Sequence, residues 1–391
     1  MSRARRSLNP ITAQRIVRAV ARRARTPTIL ARGGQTDADS AEIVRLRAQL
    51  ADSEKAARAA RVARRAAAAE RNAAREEAAE WKRRLEKPSF LRHHHAWVEL
   101  GKHYRQDPSP AKERIGELNR KLWVHAFATS HGVPVPRILG LAQRPEDIDL
   151  AALPTEFVVK TDGGASSRAV LPLRRVGEDQ YLWIGHEPAM TLTTAQVIEH
   201  FQRVRALTQS YGPIFAEQML ESVTGSELPD DVKIYMAYGK VLHVLLRRPT
   251  MVNGKSTAVR RYISEAGRDL GQVVPEPDLD PTIPSPKTLP QMLEISRRIS
   301  LALPMPLCRV DLYETQQGPV LGEITRTPGA THRYAPRHDD FLGREWMKAE
   351  ARLFEDMHHG RSGRPTWGPH ADLGMIDRLP AFPSGDGRSR Q

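Results

Sequence analysis

Apolar residues recur along this chain at two spacings, and the changes between them mark out its elements. From Lys112 to Ser130, the positions Ile115, Leu118, Leu122, Trp123 and Phe127 fall at helical spacing. Val133-Pro134-Val135-Pro136 then leads into Ile138–Leu141, a short strand. Further strands are expected at Glu156–Lys160, Ala169–Leu173, Ile214–Glu217, Lys233–Tyr238 and Val241–Arg247, and a helix around Thr288–Leu303. Two last runs, Arg309–Tyr313 and Val320–Thr325, flank the turn Thr315–Pro319 and read as a hairpin. Strands and helices mixed with antiparallel hairpins predict α+β lobes rather than a doubly wound parallel sheet.

The first quarter of the chain reads differently. From Asp39 to Glu86 it is dominated by Ala, Arg and Glu without Gly or Pro, and Ile43, Leu46 and Leu50 begin an a/d pattern that runs through Ser53, Ala57 and Ala60 and fails at Arg64. This predicts a long solvated helix or a short coiled coil, with self-association left open. Lys87-Pro88 stops it. Ahead of it, Ala13–Arg25 puts Ala13, Ile16, Val17, Val20 and Ala24 on one side and Arg15, Arg18, Arg22 and Arg25 on the other. Such a basic helix suits an anionic membrane surface, through residues 11–25, an organellar presequence, or a mobile tail that binds nothing specific. The chain therefore divides into a basic tail (1–38), the helix (39–87), a compact body (96–355) and a Gly/Pro-rich, largely disordered tail (356–391). His93-His94-His95 is expected to be solvated, because three adjacent residues cannot all face one metal.

Charge sharpens this division. Of 60 Lys+Arg and 46 Asp+Glu, residues 1–86 hold 21 and 10, leaving 39 and 36 for the rest. The net +14 belongs mainly to the N-terminal segment, which weakens a nucleic-acid role for the body. The same segment alone could bind nucleic acid with steep salt dependence. A single cysteine, Cys308, excludes an internal disulfide framework and is read as a buried strand residue. With no apolar run near the ~18 residues of a membrane span, the chain is expected in the cytoplasm, at most peripheral at the inner face of the membrane.

Four places carry candidate chemistry. Lys160 ends a strand before the small-residue loop Gly163-Gly164-Ala165-Ser166, which can bring backbone N–H groups to phosphate oxygens. It is neither a Walker A loop nor a dinucleotide fingerprint. Glu217 ends an apolar strand that continues into Met219-Leu220, and such a hinge can offer backbone groups to an adenine edge. Lys233, with Arg247-Arg248 and Arg260-Arg261, suggests an anion site around a hairpin. Asp311 and Glu323 end neighbouring runs, and two carboxylates side by side suit magnesium bridging nucleotide phosphates.

In this order the pieces resemble the ATP-grasp superfamily, and most closely its TupA-like branch, named for teichuronopeptide biosynthesis. The resemblance rests on Val159-Lys160, Ala216-Glu217, Asp231-Val232-Lys233 with Gly239-Lys240, Arg309-Val310-Asp311-Leu312-Tyr313 and Gly322-Glu323-Ile324-Thr325, and spans roughly residues 115–350. It implies an ATP-grasp fold of two α+β lobes with ATP between them. Lys160 and Lys233 would hold phosphates, and Gly163, Gly164 and Ser166 would cover them. Glu217 and Leu220 would meet the adenine, and Glu227 the ribose. Asp311, Glu323 and Thr325 would ligate Mg2+, Thr325 standing where many ATP-grasp enzymes carry Asn. Lys233, Arg247, Arg309 and Arg326 would act in catalysis, and Arg326, His332, Arg333 and Arg337 could grip a carboxylate. The activity implied is ligation of a small or polymer-linked carboxylate to an amine through an acyl phosphate, in envelope-polymer or secondary-metabolite synthesis. A kinase acting on a hydroxyl, or an inactive nucleotide-binding scaffold recruited by its N-terminal helix, are the alternatives.

Overall fold

The computed structural model describes residues 36–106, 117–163, 169–208, 212–252, 255–275, 278–326, 328 and 333–372. The basic helix expected at 13–25 lies outside them. The chain forms two compact units, 1–85 and 86–391. In the first, helix α1 (Thr36–Glu86) runs unbroken for 51 residues. Within 40–79 every side chain is exposed except Leu46 and Ala68, which are half-buried. No helix among the described residues is long and apolar enough to cross a membrane.

The second unit starts at Glu86 rather than near Ala96, because helix α2 (Phe90–Gln106) is packed rather than solvated. Phe90 is fully buried against Tyr334 and Trp346, and His93 stacks on Trp346. His94 is buried and stacks on Phe90, which corrects the expectation of a solvated histidine cluster. A 3-10 turn (Glu117–Asn119) and helix α3 (Lys121–Ser130) follow. Residues 112–116 of the expected helix lie outside the description.

Two antiparallel sheets carry the rest. The first orders its strands β1 (Ile138–Ala142), β6 (Ile214–Gln218), β2 (Glu156–Thr161), β3 (Val170–Gly177), β4 (Gln180–Trp183) and β5 (Met190–Leu192). Its inward residues Phe157, Val159, Leu171, Leu173, Ile214 and Ala216 pack with Val197 and Phe201 of α4 (Thr194–Thr208). The second sheet is β11 (Gly318–Thr325), β10 (Cys308–Thr315), β7 (Asp231–Ala237), β8 (Lys240–Val252) and β9 (Lys255–Ile263). Val232, Ile234, Met236 and Val310 bury one face against Met292, Ile295 and Ile299 of α5 (Leu289–Ala302). Alternation puts Asp231, Lys233, Arg309 and Asp311 on the other face. Cys308 is buried, and burial pushes its thiol pKa up to about 12, so it is no nucleophile.

Helix α6 (Pro336–His358) covers part of that second face. The chain beyond it is not a disordered tail as far as residue 372. Trp367 packs on Trp123 and Phe127, the Thr366 amide donates to the Ala302 carbonyl, and the Gly368 amide donates to Ser130 Oγ.

Candidate functional site

Asp162, one residue past β2, sets the position of α3. Its carboxylate accepts the Leu122 amide at 2.8 Å and Arg120 Nε at 3.2 Å, while its carbonyl accepts the Lys121 amide at 2.9 Å. An acidic side chain at a helix N-terminus satisfies amides that have no partner within the helix. Farther on, the Leu321 amide donates to the Pro134 carbonyl, tying the chain after α3 to β11. Helix α3 is thus fixed to both sheets, and Lys121 and His125, one turn apart, lie within electrostatic reach of the site.

On the first sheet, Val158 pairs with Glu217 and Lys160 with Phe215, so Lys160, Glu217 and Phe215 share a face. Lys160 is ion-paired with Glu217 Oε1, and both are buried. His125 Nε2 stands 3.7 Å from Glu217 Oε2. Burial, then Lys160 and Lys121, pushes the pKa of His125 down to about 3. Burial also lowers the pKa of Lys121, an effect that Glu323 opposes and Lys160 reinforces. Lys121 and Glu323 are therefore neighbours, although they come from different ends of the chain.

On the second sheet the register aligns Asp311 with Lys233 on one side and with Glu323 on the other. Lys233 Nζ donates to Asp311 Oδ2 at 2.6 Å and lies 3.4 Å from Asp231 Oδ2, which also accepts Arg247 at 2.9 Å. Arg309 grips Asp311 with two bonds of 2.6 and 2.7 Å and donates a third, of 3.0 Å, to Thr325 Oγ1. Burial opposes the charge on Lys233, but Asp231 and Asp311 outweigh it and raise its pKa. The same contest, won by Asp311, holds Arg309 well above its usual value. Asp231, despite burial, is held below the usual carboxylate range by Lys233 and Arg247. A β-bulge at Gly322 separates the pairs Asp311–Glu323 and Leu312–Leu321, as bulges often do beside active sites. Tyr313 lies over Gly322, and its hydroxyl hydrogen-bonds Asp231.

Several candidates fall elsewhere. Arg247 is held by Asp231, Arg248 by Asp230 and Arg261 by Asp269, so three of the four arginines of the expected anion site are already ion-paired. Arg326 is half-buried beside Gly101 of α2. Leu220 is half-buried, and Glu227, Arg333 and Arg337 are exposed. Gly163 is buried next to Asp162, whereas Gly164, Ser166 and His332 lie outside the described residues. Lys121, His125 and Asp162, which the structure brings beside the candidate residues, were not singled out from the sequence. Lys121 and His125 show there only as part of a helical run and Asp162 only as part of the loop after Lys160, and neither pattern indicates what those residues face.

Among the described residues no three His, Cys, Asp or Glu side chains gather as a metal cage. The donor set nevertheless fits Mg2+, which commonly takes one or two carboxylates and completes its shell with water and phosphate. Asp311 accepts three hydrogen bonds, leaving part of its carboxylate available, and Glu323 is exposed.

A family model described as TupA-like ATPgrasp matches residues 112–347, more than half of the chain. The chain belongs to the TupA-like ATP-grasp family. Among solved structures it is similar to D-alanine–D-alanine ligase from Bacillus anthracis, with 16% identity and a TM-score of 0.40 over 63% of this chain and 71% of that one. It is similar also to the ATP-grasp ligase PsnB complexed with minimal precursor (13%, 0.34, 61% of this chain and 62% of that one). D-cycloserine synthetase DcsG is a further neighbour (15%, 0.37, 61% and 71%). Among curated proteins none matches.

Proposed function

We propose that this chain is an ATP- and Mg2+-dependent ligase joining a carboxylate to an amine through an acyl phosphate. The observation that carries the reading is the cross-strand pair Asp311–Glu323, with Lys233 and Arg309 bonded to the first carboxylate. When bound, Mg2+ supplies neutralisation of phosphate charge between these two carboxylates. Lys160 and Lys121 hold the nucleotide phosphates, and Glu217 with the backbone to Leu220 meets the adenine. Lys233 and Arg309 face the phosphoryl group in transfer, Arg247 keeps Asp231 paired behind them, and Arg326 serves the acid substrate. Catalysis of this kind is mostly positioning and charge stabilisation.

An oxygen of the acid attacks the γ-phosphorus and ADP leaves. The amine then attacks the acyl carbon, phosphate leaves, and the nitrogen gives up its proton as the amide forms. The family resemblance favours a precursor of an envelope polymer or a secondary metabolite, either free or polymer-linked. The test is incubation of the purified chain with ATP, Mg2+, candidate carboxylates and hydroxylamine. Hydroxamate and ADP are expected together, and Asp311→Asn should lower both by roughly 100-fold or more. A stable phosphorylated product would instead identify a kinase. Nucleotide binding with neither ADP release nor product would identify an inactive nucleotide-binding scaffold, and absence of nucleotide binding would overturn the catalytic reading.

A further inference from the structure

Between residues 40 and 79, helix α1 buries no side chain. Its Ala-rich composition is enough to make it helical, since Ala is the best helix former. Helicity alone does not require Ile43, Leu46 and Leu50 to share a stripe. They do share one, at heptad positions a, d and a, and the heptad continues through Ser53, Ala57 and Ala60. Ile43 and Leu50 are 45% and 36% exposed. A β-branched residue at a with Leu at d suits a two-stranded coiled coil. Arg64 and Arg71 occupy the next two a positions and end the apolar seam. Polar residues at a fix register at a cost in stability.

The charges flanking the seam select the partner. In a parallel pair, position g of one helix meets position e of the other helix, five residues further on. Between residues 40 and 79 two such pairings are charged at both ends, Glu42 with Arg47 and Glu70 with Arg75. Both are of opposite sign. Within one helix only residues three and four apart are neighbours, so neither pair can form inside a single copy. Nor do Arg47, Glu70 and Arg75 have an opposite charge at those spacings in their own helix. A parallel, in-register second copy supplies one to each of them. Antiparallel overlap along the whole helix would instead set Arg47 against Arg75, and Arg61 against its own copy. We propose that α1 pairs with α1 of a second copy of this chain as a parallel, in-register, two-stranded coiled coil. Two-fold symmetry makes each ion pair occur twice, and the basic segments that precede α1 leave from the same end.

The test starts with sedimentation velocity on the full chain, which should show a reversible monomer–dimer equilibrium. Arg47→Glu with Arg75→Glu sets like charges against each other and should weaken the dimer roughly 10- to 100-fold. It should do so although it lowers the net positive charge of the chain. Adding Glu42→Lys and Glu70→Lys exchanges the signs and should restore most of the affinity. Ala74→Cys, at a d position, reads the direction of the pair. A parallel pair brings the two thiols together, so oxidation should cross-link them, while Cys308 is buried. In antiparallel overlap they would stand roughly 36 Å apart, at 1.5 Å per residue, and stay free. Circular dichroism checks that each variant remains helical. A wild-type chain that stays monomeric overturns the proposal, and so does a dimer indifferent to the charge reversal in a helical variant. If the reversed variant loses helix, the exchanged one decides, because only pairing between copies predicts its recovery. A dimer that Ala74→Cys does not cross-link overturns the parallel register.

Discussion

Burial acts differently on two lysines of the candidate site. Lys233 sits between Asp231 and Asp311, and its pKa is raised. Lys121 is buried near Lys160, and burial outweighs the attraction of Glu323, Asp162 and Glu217, so its pKa is lowered. Histidines show the same physics with a readable consequence. His125, at about 3, and His338, at about 4, are both held below the ordinary histidine value mainly by burial. From about pH 6.5 downward the unfolded chain binds protons that the folded chain refuses, so stability falls as pH falls toward these values. For His125 the slope is about 1.4 kcal/mol per pH unit. Urea midpoints at pH 5.0 and 6.5 check this above the range where ordinary carboxylates titrate. Wild type should be the less stable at pH 5.0, and His125→Gln should shrink the difference.

At the scale of elements, the hairpin β10–β11 shows what a sequence reveals and what it hides. Asp311 and Glu323 could be placed side by side from two apolar runs and a turn, because strand periodicity is local. Lys160 and Glu217 were legible for the same reason. The bulge at Gly322 was not, since it depends on the fit of the Tyr313 ring against a neighbouring strand. A Cβ at Gly322 would come within 2.5 Å of Tyr313 Cε2. Gly322→Ala should therefore move the ring, loosen its bond to Asp231, and cost about 1–3 kcal/mol. Tyr313→Phe keeps the ring and removes only the hydroxyl, so its loss should be nearer ~1 kcal/mol. Urea denaturation of the two variants settles the order, and equal losses would count against the packing explanation. Long-range packing hid other elements as well. The Asp162 cap joins a loop to a helix 40 residues earlier. Trp367 is covered by rings from α3, and Phe90 of α2 is packed on Trp346 of α6. In each case the partner is too distant in sequence for any local pattern to point to it.

For the whole molecule, charge and structure divide at the same place. The near-neutral body carries the two sheets and the candidate site, while the basic surplus lies in the first 86 residues. Residues 1–36 hold nine arginines and no acid. Near an anionic membrane each basic residue contributes about 1 kcal/mol, falling off within a Debye length. If this segment brings the enzyme to the inner face of a membrane, the full chain should float with vesicles containing anionic lipid and not with neutral ones. Flotation should weaken as salt rises, and deleting residues 1–36 should abolish it while ATP binding by the body persists. Salt dependence alone would not separate a membrane from nucleic acid, because phosphate backbones screen in the same way. The preparation must therefore be freed of nucleic acid first, with duplex DNA added as a competitor. Binding that DNA displaces, or flotation that survives the deletion, would show that the basic segment does not target a lipid surface.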